Sequence, residues 1–237
     1  MFHFLRGRWL IALCYTLLLF PLQSYSDQAQ ATSSSKVTLL VLGDSLSAAY
    51  GLKASEGWVS LLHSRWQDEQ LPIDVINAAI SGETTDGGLA RLPRLLEQHQ
   101  PTHVLIELGG NDGLQGHPVS KLQNNLKAMI DLVRDSGATP LLQDMAIPTN
   151  YGRRYTEMFT GSYEKVASET DVTLVPFFMQ DIALEPALMQ RDGIHPNAQA
   201  QPRIVAFMYD QLTPLLLPSQ AALGESDIAI SYNFYTL

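Results

Sequence analysis

Four short polar segments carry residue types that could together cleave an acyl bond. They supply a hydroxyl nucleophile, a backbone amide, a side-chain amide, and a base with a carboxylate partner: Gly43-Asp44-Ser45, Ser81-Gly82, Asn111, and Asp192 with His195. A serine hydroxyl becomes nucleophilic when a histidine takes its proton and a carboxylate orients that histidine. Each segment alone is weak evidence, because Ser45 could equally cap a helix. Their order along the chain is what favours acyl transfer.

The elements that must position these segments are short apolar strands alternating with amphipathic helices. The predicted strands are Val37–Leu42, Ile73–Asn77, His103–Leu108, Pro140–Gln143 and Thr173–Pro176. The predicted helices are Trp58–Gln67, Gly88–Gln98, Lys121–Arg134, Tyr155–Glu169 and Pro202–Leu212. This alternation predicts an α/β fold, a three-layer α/β/α sandwich around a parallel sheet of about five strands. Because ligands bind at the carboxyl ends of such strands, the polar segments that follow them are expected to meet there.

Composition excludes several other classes of protein. Only 16% of the 237 residues are charged and the net charge is -9, so a basic nucleic-acid surface is not expected. The chain has no P-loop, no dinucleotide fingerprint and no HExxH motif. Ser45 is not in a G-x-S-x-G elbow, so the α/β-hydrolase pattern is not met. The chemistry above needs no metal, and we expect no metal and no cofactor.

The N-terminal segment has the pattern of a secretory signal rather than of the fold. Arg6 and Arg8 precede an apolar run, Leu10–Phe20, which is too short for a confident membrane span. Small residues offer cleavage after Ser26 or after Ala31, and an uncleaved anchor is the alternative. We therefore predict a signal peptide over 1–31, one domain over 32–217, a C-terminal tail of unknown role over 218–237, and a periplasmic or secreted protein.

The polar blocks in this order resemble the GDSL or SGNH hydrolase family. The matching blocks are GDSLSAAYG (43–51), GLARLP (88–93), ELGGNDGL (107–114), NYGRRY (150–155), PFFM (176–179) and DGIHPN (192–197). They are most similar to the periplasmic multifunctional thioesterase, protease, lysophospholipase and arylesterase group of gamma-proteobacteria. The resemblance extends over roughly residues 36 to 217 and implies a flavodoxin-like sheet.

The resemblance also implies a role for each site residue. Ser45 would be the nucleophile, His195 the base and Asp192 its orienting partner. The backbone N–H groups of Ser45 and Gly82 and the side-chain amide of Asn111 would form the oxyanion hole. Three apolar positions are candidates for substrate binding, although ordinary packing would explain them equally well: Leu114, Ile147 and Pro148. Asp44 and Asp112 are interpreted as hydrogen-bonding residues that hold turns.

These inferences predict an exported serine hydrolase that cleaves esters and thioesters through an acyl-serine intermediate. The implied substrates are lysophospholipids, aryl and alkyl esters, and acyl-CoA in vitro. Expected partners are small acyl substrates and, transiently, a membrane surface, with no nucleic acid, and the protein is expected to be a monomer. Two alternatives stay open: a carbohydrate O-acetyl esterase on the same fold, and a catalytically silent protein that binds a lipid or polysaccharide.

Overall fold

The computed structural model describes residues 36–217, and its centre is a sheet of five parallel strands. The strands are β1 (Val37–Gly43), β2 (Ile73–Asn77), β3 (His103–Glu107), β4 (Thr139–Gln143) and β5 (Thr173–Val175). Their spatial order is β2-β1-β3-β4-β5, and each neighbouring pair is parallel. All five predicted strands are present, each within one residue of its predicted ends, so the predicted α/β class is confirmed.

Helices connect the strands and cover both faces of the sheet. They are α1 (Trp58–Asp68), α2 (Thr85–His99), α3 (Gly110–Leu114), α4 (Val119–Asp135), α5 (Arg153–Thr170) and α6 (Gln201–Leu216). Short 3-10 turns occupy Ala54–Glu56, Thr149–Tyr151, Ile182–Leu184 and Pro186–Leu188. The five predicted helices are found, although α2 begins three residues earlier than predicted. The short helix α3 was not predicted, because Gly110 and Gly113 give it low helix propensity.

The two faces of the sheet bury two separate apolar clusters. On β1, Leu39 and Val41 pack into the cluster under α1 and α6, whereas Leu40 and Leu42 pack into the cluster under α2, α4 and α5. This alternation follows from the two-residue period of a strand. Both sets are fully buried, which explains why β1 is an uninterrupted apolar run. Helices therefore cover both faces of the sheet, and only the ends of its strands are free to carry polar groups.

Two of the predictions concern residues that the structure does not describe. The signal peptide over 1–31 and the tail over 218–237 lie outside the described residues, so the domain boundaries at 31 and 217 stay predictions. Within residues 36–217, none of the helices combines the length and the apolar character needed to span a membrane.

Candidate active site

A serine, a histidine and an aspartate meet at the carboxyl ends of the strands. Ser45 lies in the turn that leaves β1, and its Oγ is 2.8 Å from Nε2 of His195. The other ring nitrogen, Nδ1, is 2.7 Å from Oδ2 of Asp192. Both distances are those of hydrogen bonds, which is the geometry that a nucleophile, its base and an orienting carboxylate require. The structure thus brings together the three residues that the sequence singled out.

Asp192 and His195 share one tight loop. Gly193 has a φ of +68°, a conformation that glycine adopts without strain, and this turns the chain so that the two side chains meet. Oδ1 of Asp192 also accepts hydrogen bonds from the backbone N–H groups of Ile194 and His195, at 2.9 and 3.0 Å. Partial burial would raise the pKa of Asp192, but these two N–H groups and the imidazole lower it to about 2. The Asp192 carboxylate is therefore ionised throughout the neutral pH range.

The three residues predicted to supply oxyanion donors, Ser45, Gly82 and Asn111, all line one cleft. The backbone N–H groups of Ser45 and Gly82 donate to no other group within residues 36–217. Gly82 has a φ of +82° and nothing lies within 4 Å of where a Cβ would be, so its backbone is open to a ligand. The Nδ2 of Asn111 donates to the carbonyl of Glu83 at 2.9 Å and to Oδ2 of Asp44 at 3.2 Å.

Two buried carboxyl groups, those of Asp44 and Glu107, lie at the turn that contains Ser45. Oε2 of Glu107, the last residue of β3, accepts hydrogen bonds from Oγ of Ser47 at 2.5 Å and from the backbone N–H of Asp44 at 3.2 Å. Burial, and then the nearby charge of Asp44, raise the pKa of Glu107 well above its ordinary value. Burial likewise raises the pKa of Asp44 to about 6, against a hydrogen bond from the backbone of Leu46 that lowers it. Sequence reasoning missed Glu107, because its partners are 60 or more residues away.

Asp112 links the segments that carry Gly82 and Asn111. Its carboxylate accepts hydrogen bonds from the backbone N–H of Thr85 at 2.8 Å and from Oγ1 of Thr85 at 2.6 Å. Thr85 begins α2, just after Gly82, whereas Asp112 follows Asn111 in α3. Asp44 holds its own turn, since its Oδ1 accepts from the N–H of Leu46 at 3.0 Å. Both aspartates therefore hold turns, as the sequence interpretation required.

A cleft of about 810 Å³ opens beside Ser45. Leu114, Ile147 and Pro148, the predicted substrate-binding residues, all lie along it. Further apolar side chains that the sequence did not single out also line it: Met145, Phe177, Met179, Leu184 and Met189. They come from the segments after β4 and β5, so only the folded sheet brings them to Ser45. The volume is in the range of cavities that enclose a small organic ligand.

The fold and this arrangement of side chains define a class of protein, the SGNH-type hydrolases. A solved esterase, described as an SGNH-hydrolase family member and named AlinE4, shares the fold with a TM-score of 0.63 and 33% identity, over 77% of this chain and 97% of that chain. Residues 41–202 match the GDSL-like Lipase/Acylhydrolase family, and the chain belongs to that family.

Closer relatives are named for the cleavage of esters and thioesters. The Escherichia coli protein "Thioesterase 1/protease 1/lysophospholipase L1" is 52% identical over 179 residues, which are 76% of this chain and 85% of the relative. "Arylesterase" of Vibrio mimicus is 47% identical over 77% of this chain and 91% of the relative. The crystal structure of the psychrotrophic esterase EstA from Pseudoalteromonas sp. is 52% identical with a TM-score of 0.74, over 76% of this chain and 98% of that one. This chain is accordingly an enzyme of the ester-hydrolase class, as the sequence predicted.

Proposed function

We propose that this enzyme cleaves acyl esters and thioesters in two steps through an acyl group on Ser45. Oγ of Ser45 attacks the carbonyl carbon while Nε2 of His195 takes the hydroxyl proton. Collapse of the tetrahedral intermediate breaks the bond to the leaving alcohol or thiol, which receives that proton from His195. Water then attacks the acyl-serine, gives a proton to His195, and the released Ser45 takes it back. The 2.8 and 2.7 Å contacts of His195 support both steps.

The oxyanion would be held by the N–H groups of Ser45 and Gly82 and by Nδ2 of Asn111. The first two have no other partner in the described chain, so they are available without rearrangement. Asn111 already uses both amide hydrogens, of which the one on Asp44 makes the longer contact, 3.2 Å against 2.9 Å. We propose that this longer bond gives way when the oxyanion forms. Donors of this kind stabilise the transition state more than the substrate, because charge develops on the oxygen only during the reaction.

The substrate class is inferred from the apolar character of the cleft and of the exposed side chains near the ends of the strands. In the described chain, six large apolar side chains are exposed: Tyr50, Ile80, Tyr151, Met158, Leu184 and Ile194. All six lie on connections, or on the first two turns of a helix, that follow the carboxyl ends of strands. Three of the six, Tyr50, Leu184 and Ile194, also line the cleft. Exposed apolar groups at the opening of a cleft mark a ligand or interface site. This supports lysophospholipids and other lipid-derived esters as the physiological substrates, met at the surface of a lipid aggregate or membrane.

The proposal includes export of the enzyme from the cytoplasm. The pattern over residues 1–31 predicts a signal peptide, which would place the enzyme in the periplasm or outside the cell. Acyl-CoA is a cytoplasmic metabolite, so its thioester would be cleaved in vitro without being the natural substrate. Lysophospholipids, in contrast, are present wherever membranes are.

A series of p-nitrophenyl esters from acetate to palmitate tests the proposal. Each methylene buried in an apolar cleft contributes about 0.8 kcal/mol, so kcat/KM should rise roughly fourfold per carbon until the cleft is full. Ser45→Ala, measured beside the wild type, should abolish the whole series. Lysophosphatidylcholine turnover by the same two proteins then tests the lipid directly.

Three results would contradict this function. A series that peaks at acetate would keep the nucleophile but favour the O-acetyl esterase. Activity that survives in Ser45→Ala would remove the acyl-serine mechanism. No activity in the wild type, together with no labelling by a fluorophosphonate, would favour a binding protein.

A further inference from the structure

Gln190 connects the two loops that carry the reacting groups. Its Nε2 donates to the backbone carbonyl of Tyr50 at 2.7 Å and to the backbone carbonyl of Pro196 at 3.0 Å. Tyr50 is in the loop of Ser45, and Pro196 directly follows His195. A side-chain amide has two N–H groups on one nitrogen, so both are used, one on each loop.

Few other contacts hold these loops in register. Within the described residues, two hydrogen bonds join the segments 44–52 and 189–197: the reacting pair, His195 with Ser45, and the bond from Gln190 to Tyr50. The first must break and re-form in every turnover. The bond from Gln190 is therefore the polar contact that can keep the two loops at a constant separation while the proton moves.

The backbone around Gln190 closes the histidine loop on itself. The N–H of Gln190 donates to the carbonyl of His195 at 2.8 Å, and its carbonyl accepts from the N–H of Gly193 at 3.0 Å. Met189 and Pro196 form an antiparallel bridge at the base of this loop. Gln190 thus has a fixed position relative to the imidazole, and its side chain transmits that position to the loop of Ser45.

The loop of Ser45 is shaped to receive this amide. Gly51 has a φ of +73°, and a Cβ at this position would lie only 2.3 Å from Oε1 of Gln190. Any larger residue at position 51 would push the amide away. The N–H of Tyr50 donates to the carbonyl of Ser45 at 3.2 Å, and the Tyr50 ring packs on the imidazole of His195 with centroids 4.3 Å apart. The contact of Gln190 with Tyr50 is thus one hydrogen bond away from the nucleophile.

We propose that Gln190 is a positioning residue for this reaction, whose amide sets the alignment of Ser45 with His195. The inference rests on the proposed function, because it assumes that these two residues exchange the proton. It predicts an effect on turnover rather than on substrate binding. Most of the cleft residues, among them Leu114, Ile147 and Pro148, are on other segments, whereas a misplacement of reacting groups by about 1 Å can cost a hundredfold in rate.

The test is steady-state kinetics of p-nitrophenyl butyrate with two variants that remove the donor. Gln190→Leu removes the amide, and Gln190→Glu keeps its shape but has no N–H to give to the two carbonyls. Both should lower kcat by about 10- to 100-fold while KM stays within about twofold. The rate of labelling by a fluorophosphonate should fall by the same factor. Gln199→Leu, at an exposed glutamine just beyond the loop, is the matched control and should behave like the wild type.

Gly51→Ala approaches the same contact from the other side. It should lower kcat as Gln190→Leu does. The double variant Gly51→Ala/Gln190→Leu should have a kcat no lower than that of the less active single variant, because both substitutions disturb one contact. Urea unfolding of each variant shows that the comparison is made on folded protein.

The outcomes separate this inference from the proposed function. Full kcat in Gln190→Glu, or a loss expressed only in KM, would overturn the positioning role while an inactive Ser45→Ala still upheld the nucleophile. Activity in Ser45→Ala would overturn the proposed function itself, whatever the Gln190 variants do. A fall in kcat at constant KM in both Gln190 variants, with Ser45→Ala inactive, is the result we expect.

Discussion

Replacing Glu107 by glutamine should change how the stability of this enzyme depends on pH. Glu107 is fully buried, and its Oε1 has no hydrogen-bond partner in the described chain. Its pKa is raised well above the ordinary value of 4.5, chiefly by burial, so the folded protein holds a proton that the unfolded chain gives up. The native state therefore binds more protons than the unfolded state above about pH 4.5. It follows that the contribution of Glu107 to the free energy of unfolding falls as pH rises from about 4.5 towards the raised pKa.

The size of the effect comes from the linkage relation. For each pH unit between the ordinary pKa and the raised one, the wild type loses about 1.4 kcal/mol of unfolding free energy relative to Glu107→Gln. For a protein of this length, that is about 3–6 °C in Tm per pH unit. The glutamine carbonyl can still accept from Ser47 and Asp44, so the offset at low pH should be only about 1–2 kcal/mol. Asp44 titrates in both proteins, so only its coupling to Glu107 enters the difference.

The assay is urea and thermal unfolding of both proteins at pH 5, 6, 7 and 8. The free energy of unfolding of Glu107→Gln should increase steadily relative to that of the wild type as pH rises. Glu97→Gln, at an exposed carboxylate of α2, is the control, and its stability should differ from that of the wild type by the same amount at every pH. If the free energy of unfolding differs between wild type and Glu107→Gln by the same amount at every pH from 5 to 8, the argument that the fold holds this carboxyl group neutral is refuted.

Three further substitutions test other parts of the site. Asn111→Ala removes one of the proposed oxyanion donors, so kcat should fall about 10²- to 10³-fold with KM little changed; a loss below threefold would exclude that role. Asp192→Asn keeps the shape but favours the wrong tautomer of His195, and kcat should fall about 10⁴-fold, measured over pH 5–9; a normal rate at any of these pH values would contradict it. Tyr163→Phe removes the buried 2.9 Å hydrogen bond to the carbonyl of Leu108, which should cost about 1–3 kcal/mol in urea unfolding, and unchanged stability would show that water replaces the hydroxyl.

The strands could be located from local pattern because burial on both faces makes each one an apolar run bounded by turn residues. Strand β2 has the predicted ends, Ile73–Asn77. Helical periodicity places five apolar residues of Lys121–Arg134 on one face, and α4 buries all five: Leu122, Leu126, Met129, Ile130 and Val133. These features depend on residues a few positions apart, and the sequence displays them directly.

Helix ends depended on contacts that the local pattern does not contain. The N-terminus of α2 is at Thr85 because the carboxylate of Asp112, 27 residues further on, accepts its N–H. α6 continues past the predicted end at Leu212, through Pro214, to Leu216, which is buried in the core. Burial of that leucine outweighs the hydrogen bond that proline removes.

The sequence by itself determined the fold class, the family and the residue types of the reacting groups, because those depend on local pattern and on the order of short motifs. Only the tertiary structure decided how those groups are held. The carboxyl group of Glu107 reaches Asp44 across 63 residues, and the amide of Gln190 reaches Tyr50 across 140. Hydrogen-bond strength and pKa depend on distances of a few ångströms and on exclusion of water. Between residues so far apart along the chain, only the packing of the sheet and its helices sets those distances.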